Sequence, residues 1–225
     1  MSDFATLADA FASRELWRIV ALSFEVSLTA TAAATFVGLP LGAALAIWRF
    51  PGRGAIVVAA NALLGLPPVV VGLALYLLLS RSGPLGGLGF LFTPAAMMIA
   101  QAVLALPIVT ALAHRAAEER WAQYGDALMD LGASKWQAVP ALIAMARLPM
   151  LTAVLAGFGR TVSEVGAIIL VGGNIAGYTR TMTTAIVLDT SMGNLPLALG
   201  LGIFLVGLST MVSAAAFALA GRSTW

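Results

Sequence analysis

Long stretches without a charged residue dominate this chain, and the rare charges mark where they end. Between Arg18 and Arg49 the only charge is Glu25, while Arg53 to Arg81, Arg81 to Arg115 and Asp189 to Arg222 enclose none. Each gap exceeds the ~20 residues an α-helix needs to cross ~30 Å of hydrocarbon. Proline and glycine trim the gaps to predicted spans at 22–47, 56–80, 93–113 and 197–219, with the turn-rich run Ser82–Gly89 forming a loop. A fifth apolar stretch, 148–171, reads as a span although Arg160 and Glu164 lie inside it. The first stretch is too long for a signal-peptide core and has no small-residue cleavage site, so it is expected to remain as a helix. No internal repeat is visible, which argues against inverted-repeat carriers.

Composition sharpens this pattern into a class. The 225 residues are 60% hydrophobic and 10% charged, where a soluble domain carries about 25% charge and about 45–50% apolar residues. An ordinary soluble enzyme, a nucleic-acid binder and a disordered chain are excluded; the expectation is an all-α integral membrane protein. The absence of cysteine removes disulfides and thiolate chemistry. A net charge of +2 is too small to imply a polyanionic partner.

Loop charge sets the predicted orientation. Arg49, Arg53, Arg115, Arg120, Lys135, Arg147 and Arg222 fall at one set of span ends, against Arg14, Arg18, Arg81 and Arg180 at the other. The richer side is predicted to be cytoplasmic, which places the N-terminus, with an external segment 1–15, outside and the C-terminus inside. Trp17 and Trp48 bracket the first span as interfacial anchors would. Glu25 reads as a boundary residue that reaches headgroup water, lone His114 as an interface residue rather than a metal ligand, and the nine methionines as packing.

The longest cytoplasmic segment, 115–147, has apolar residues at helical spacing (Ala127, Leu128, Leu131, then Trp136, Val139) interrupted by Gly132. This predicts two short amphipathic helices meeting at a bend. Their apolar side needs either a partner protein or the lipid interface. Asp126-Ala127-Leu128, three residues, then Gly132-Ala133 resembles the EAA-x-x-x-G coupling loop of ABC-importer permeases, with Asp for Glu, Leu128 for the second Ala, and Ala144-Met145 where Leu-Pro is usual. Gly65–Gly72 (GLPPVVVG) and Gly157–Gly166 (GFGRTVSEVG) resemble the oxyanion branch of that family, and the run from Val171 through Ser191 is similar to tungstate permeases. The resemblance covers about Leu16 to Ala218.

That resemblance implies a single type-1 ABC transmembrane domain over 16–220, the binding-protein-dependent inner-membrane component of a prokaryotic importer. It implies a homodimer of this chain, two ATP-binding-cassette ATPase subunits and an external substrate-binding protein, with tungstate as the cargo and molybdate or sulfate as alternatives. No G-x-x-x-x-G-K-[ST] phosphate loop exists around the one lysine, Lys135, so ATP and Mg are expected on the partner ATPase and no cofactor on this chain. A stand-alone ion-coupled carrier is the competing reading from another class.

Two constellations are candidate transport sites. Arg160 and Glu164 lie one turn apart, near the middle of the fourth span, where an ionisable group must face protein or a watery path. They can form an i,i+4 pair that locks helices, or Arg160 can face the pathway and assist an anion. Pro67 and Pro68 are expected to kink or unwind the second span beside that pathway. Asn174, Tyr178, Thr179, Arg180, Thr181, Thr183 and Thr184 crowd hydrogen-bond donors beside Gly172, Gly173 and Gly177. They form either a solvated loop or an external gate and substrate loop suited to a tetrahedral oxyanion.

Overall fold

The computed structural model describes residues 13–222; most of the expected external segment 1–15 lies outside them. The described residues form α-helices without strands: α1 (Arg14–Ile47), α2 (Arg53–Ala62), α3 (Pro68–Leu79), α4 (Pro94–Asp130), α5 (Lys135–Met145), α6 (Arg147–Val162), α7 (Gly166–Gly172), α8 (Met182–Ser191) and α9 (Leu195–Arg222). Three of them, α1, α4 and α9, are long and apolar enough to cross a membrane alone. Two bent pairs pass the same test together: Arg53–Gly65 with α3, bent by 104°, and α5 with α6, bent by 78°.

The helix limits follow from local chemistry. Ser13 caps α1 by accepting the Leu16 N–H at 3.2 Å, and Thr93 with Pro94 opens α4. The second predicted span is two helices, because Pro67 and Pro68 remove successive backbone donors and turn the chain sharply. The third span does not stop near 113. Its helix runs unbroken to Asp130, so the first of the two expected short helices is the end of α4 rather than a separate element. The fourth span is also not one helix. It breaks at 163–165 between α6 and α7.

Close helix approach builds the core. Gly38 and Gly42 let α1 lie against α4: a Cβ added at Gly42 would stand 2.7 Å from Ala113 Cβ and from the Thr110 carbonyl oxygen. Small residues spaced by four permit this contact, and membrane helices bind one another chiefly through such packing. At the Ile47 end, Ala43, Ala46, Ala113, Ala117, Ala138 and Leu142 form an alanine-rich cluster. At the Arg14 end, Leu16, Ile19, Phe158, Met182 and Leu201 form another. Many large apolar side chains, Phe36, Val206 and Phe217 among them, point outward, as expected where the solvent is lipid.

Candidate functional site

The α4–α5 corner carries Asp126, Ala127, Leu128, Gly132 and Ala133. Gly132, at φ +82°, donates its N–H to the Met129 carbonyl at 2.9 Å, and Ala133 donates to the Leu128 carbonyl at 3.0 Å. These paired bonds are a Schellman cap, which needs a left-handed residue and so favours glycine. Immediately after it, Ser134 and Gln137 cap α5 reciprocally. Both helix ends are thus satisfied locally, and the tip holds its shape without help. It presents Leu131 and Trp136 at 84% and 76% exposure, while the Trp136 ring packs on Trp48 with centroids 4.7 Å apart. Trp48 therefore supports the corner besides ending α1.

The second and fourth spans meet at their breaks. Gly72 lets α3 press on α7, where an added Cβ would lie 2.7 Å from Ala167 Cα, and Gly166 does the same toward Val69. Pro67 and Pro68 thus stand beside the segment that holds Glu164. Glu164 is 4% exposed; one carboxylate oxygen accepts the Ala167 N–H at 3.1 Å, and the other lies 3.7 Å from Arg160 Nη2. The expected i,i+4 pair is present, and Glu164 additionally satisfies the start of α7. Arg160 is less enclosed, with its side chain 34% exposed. The loose last turn of α6 is held by Gln101, whose amide donates to the Thr161 carbonyl at 2.8 Å, and by the Thr31–Thr161 hydroxyl contact at 3.1 Å.

The 173–184 loop folds its small donors inward. Thr179 donates to the Gly172 carbonyl at 2.6 Å and accepts the Ile175 N–H at 2.9 Å. Thr183 donates to the Glu164 carbonyl at 2.7 Å, so this loop is bonded directly to the break in the fourth span. Thr181 and Thr184 cap α8, and Asn174, at φ +50°, donates to the Thr184 carbonyl at 3.3 Å. All four threonines are buried. Tyr178 is exposed, and Arg180 pairs with Glu15 at 3.5 Å.

One polar cluster was missed by reading the sequence. Arg53 Nε donates to the Leu45 carbonyl at 2.5 Å, and its Nη2 reaches Glu118 at 2.9 Å and His114 Nε2 at 3.0 Å. His114 is buried among these groups. Guanidinium offers donors only, so the ring nitrogen accepts. Arg53, the first residue of α2, in this way ties the end of α1 to the middle of α4. Glu25, expected at a boundary, lies three turns into α1 and is exposed.

Fold and sites together define a polytopic membrane protein built around two broken helices and a rigid, apolar-tipped corner. The chain is 38% identical to the tungstate uptake system permease protein TupB of Peptoclostridium acidaminophilum, over 91% of this chain and 90% of that one. It is 38% identical to a probable anion ABC transporter permease protein of Haloferax volcanii, over 87% of each. A molybdenum transport system permease protein, ModB of Azotobacter vinelandii, is 32% identical over 74% of this chain and 77% of its own length. No protein-family profile matches the chain. The chain belongs to the oxyanion permease family of ABC transporters.

Proposed function

We propose that this chain is the membrane-crossing subunit of an ATP-driven tungstate importer. The observation that carries the reading is the identity to a tungstate uptake permease across nine-tenths of both chains. In this reading the chain crosses five times, with the N-terminus outside and the C-terminus in the cytoplasm on the side richer in Lys and Arg; two copies enclose the pathway, and a binding protein delivers the anion from outside. Leu131, Trp136 and the capped segment Asp126–Ala133 seat on an ATPase subunit, because an exposed apolar tip on a stiff corner suits a protein groove. ATP and Mg belong to that partner.

Transport in this reading alternates access about the two breaks. Arg160 and Glu164, beside the Pro67-Pro68 turn, sit where the pathway narrows; Arg160 offers charge to a passing anion while Glu164 keeps it from binding too tightly. The 173–184 loop is the external gate. Bonds between Thr183 and Glu164 support this role, since movement at the break must carry the loop with it. The test is elemental analysis of cells with and without the protein, supplied with equal trace tungstate and molybdate. Tungstate accumulation that depends on the protein is expected. Dependence of molybdenum alone would assign the chain to molybdate, and uptake surviving loss of the ATPase would indicate an ion-coupled carrier.

A further inference from the structure

A cavity of about 520 Å³ opens at the Arg14 end of the molecule, between the first turns of α1 and the 176–180 segment. Three of its lining side chains are arginines: Arg14, Arg18 and Arg180. Arg14 and Arg18 lie four residues apart and so project from one face of α1. Arg180 comes from 160 residues further along the chain, so the fold has gathered these cations from two distant elements. Like charges gathered in this way repel unless an anion is shared among them.

Glu15 supplies part of that balance. Its carboxylate lies 3.5 Å from Arg180 Nη1 while remaining half-exposed itself. It does not complete the site. Arg180 Nε is buried and has no hydrogen-bond partner among the described residues, and a buried donor without an acceptor is costly. Among the described residues that line the cavity, three guanidinium groups against one carboxylate leave a formal excess of two positive charges. The N–H groups of Tyr178, Thr179 and Arg180 are already used, since all three converge on the Ile175 carbonyl. Recognition in this cavity therefore rests chiefly on side chains, the three guanidinium forks and the Tyr178 hydroxyl.

We propose that this cavity is a binding site for a dianionic tetrahedral oxyanion from the surrounding water, held by Arg14, Arg18 and Arg180, with Glu15 as the internal competitor that the anion displaces. Forked guanidinium donors match the paired oxygens of such an anion. The start of α1 adds a favourable dipole. On the import reading, on which its biological use rests, the site receives substrate at the outer face before the pathway opens. Arg180 then joins the gate loop to the incoming cargo.

The experiment uses the full chain in discs of zwitterionic lipid, with sodium tungstate as probe and bound tungsten measured by equilibrium dialysis and elemental analysis. Saturable binding is expected, weakened about tenfold by Arg18→Ala or Arg14→Ala and strengthened by Glu15→Gln. Arg18→Lys, which keeps charge but loses the fork, separates recognition from folding, and its thermal unfolding should match the parent. No binding by the parent, or binding indifferent to all these substitutions, overturns the proposal. A second arm uses discs containing phosphatidylglycerol: retention of that lipid in native mass spectra, lost in Arg18→Ala, together with exclusion of tungstate, makes a lipid phosphate the occupant and also overturns it. Uptake in cells carrying the whole system keeps the two readings apart. Uptake without binding at this cavity sinks the site alone, whereas binding without uptake sinks the import reading alone.

Discussion

The corner at 126–136 and the loop at 173–184 both join helices, yet they dispose their side chains in opposite ways. At the corner, polar capping bonds are local and the apolar residues Leu131 and Trp136 face outward. In the loop, Thr179, Thr181, Thr183 and Thr184 face inward and bond to neighbouring backbone, while Tyr178 and Arg180 remain toward the cavity. A segment that satisfies its own backbone can present apolar surface to a partner without depending on it. One that uses its side chains to hold a distant carbonyl is bound to the state of that distant element. The first arrangement suits docking and the second suits gating.

Substitutions that separate partnership from stability would break or sharpen this contrast. The largest effect is expected for Leu131→Asp combined with Trp136→Asp. Exposed anchors of this kind carry most of an interface's energy, so ATPase co-purification and ATP-driven uptake should fall by at least about tenfold, while thermal unfolding of the permease shifts only by the lost Trp136–Trp48 ring contact, about 1 kcal/mol. A marked loss of stability instead would place these residues in the fold. Next is Glu164→Ala, which strips Arg160 of its partner and the Ala167 N–H of its acceptor. Because Arg160 is one-third exposed, the loss is chiefly that of the buried carboxylate's bonds, about 1–3 kcal/mol, and the protein should unfold earlier in detergent; Arg160→Ala with Glu164→Ala should recover part of that loss. If the double variant is no better than the single, the ion pair is not the cause.

Thr183→Val removes only the hydroxyl that serves the Glu164 carbonyl. It should cost about 1–3 kcal/mol and loosen the link between this loop and the break, read as faster hydrogen exchange confined to 163–184 while ATPase binding holds. The smallest effect is expected for Gly132→Ala. A side chain has room there, since nothing lies within 4 Å, so the cost is only that of the left-handed backbone, about 1–2 kcal/mol. Unfolding should shift slightly, and any loss of coupling beyond that shift would mean that a partner packs directly on this glycine.

Much of this fold is legible in the chain because lipid imposes a strong rule. Charge gaps locate α1, α4 and α9; the Pro67-Pro68 pair announces its break, and Gly132 its bend. The i,i+4 spacing of Arg160 and Glu164 also suffices to predict their contact. Other features escape for physical reasons. Charges at Arg115, Glu118 and Glu119 mark where hydrocarbon ends, but a helix need not end there, and α4 continues in water on good helix formers. The break at 163–165 contains no proline; it depends on Gln101, Thr31 and Thr183 supplying bonds from other helices. Nor does a threonine-rich run reveal which way its hydroxyls turn. Likewise, the sequence singles out Arg180 in its donor-rich loop but offers Arg14 and Arg18 only as a charge count, because the convergence of the three is a property of the folded chain.

The unbroken length of α4 has a mechanical consequence. Its 37 residues make a rod of roughly 55 Å at 1.5 Å per residue, almost twice the thickness of the hydrocarbon layer. The tight crossing with α1, where Gly42 meets Ala113 and His114, falls near its midpoint and so serves as a fulcrum. A rocking of about 10° there would swing each tip by roughly 5 Å, in opposite directions; Pro107, inside the helix, is the position where a missing backbone bond lets the rod bend and absorb part of that swing. One tip is the capped corner. The other begins beside Phe92, whose N–H is bonded to the Val171 carbonyl at 2.8 Å, at the end of α7, which leads into the threonine-rich loop before α8. A push at one end is therefore a pull at the other, and the stroke is set by where Gly38 and Gly42 of α1 lie against α4.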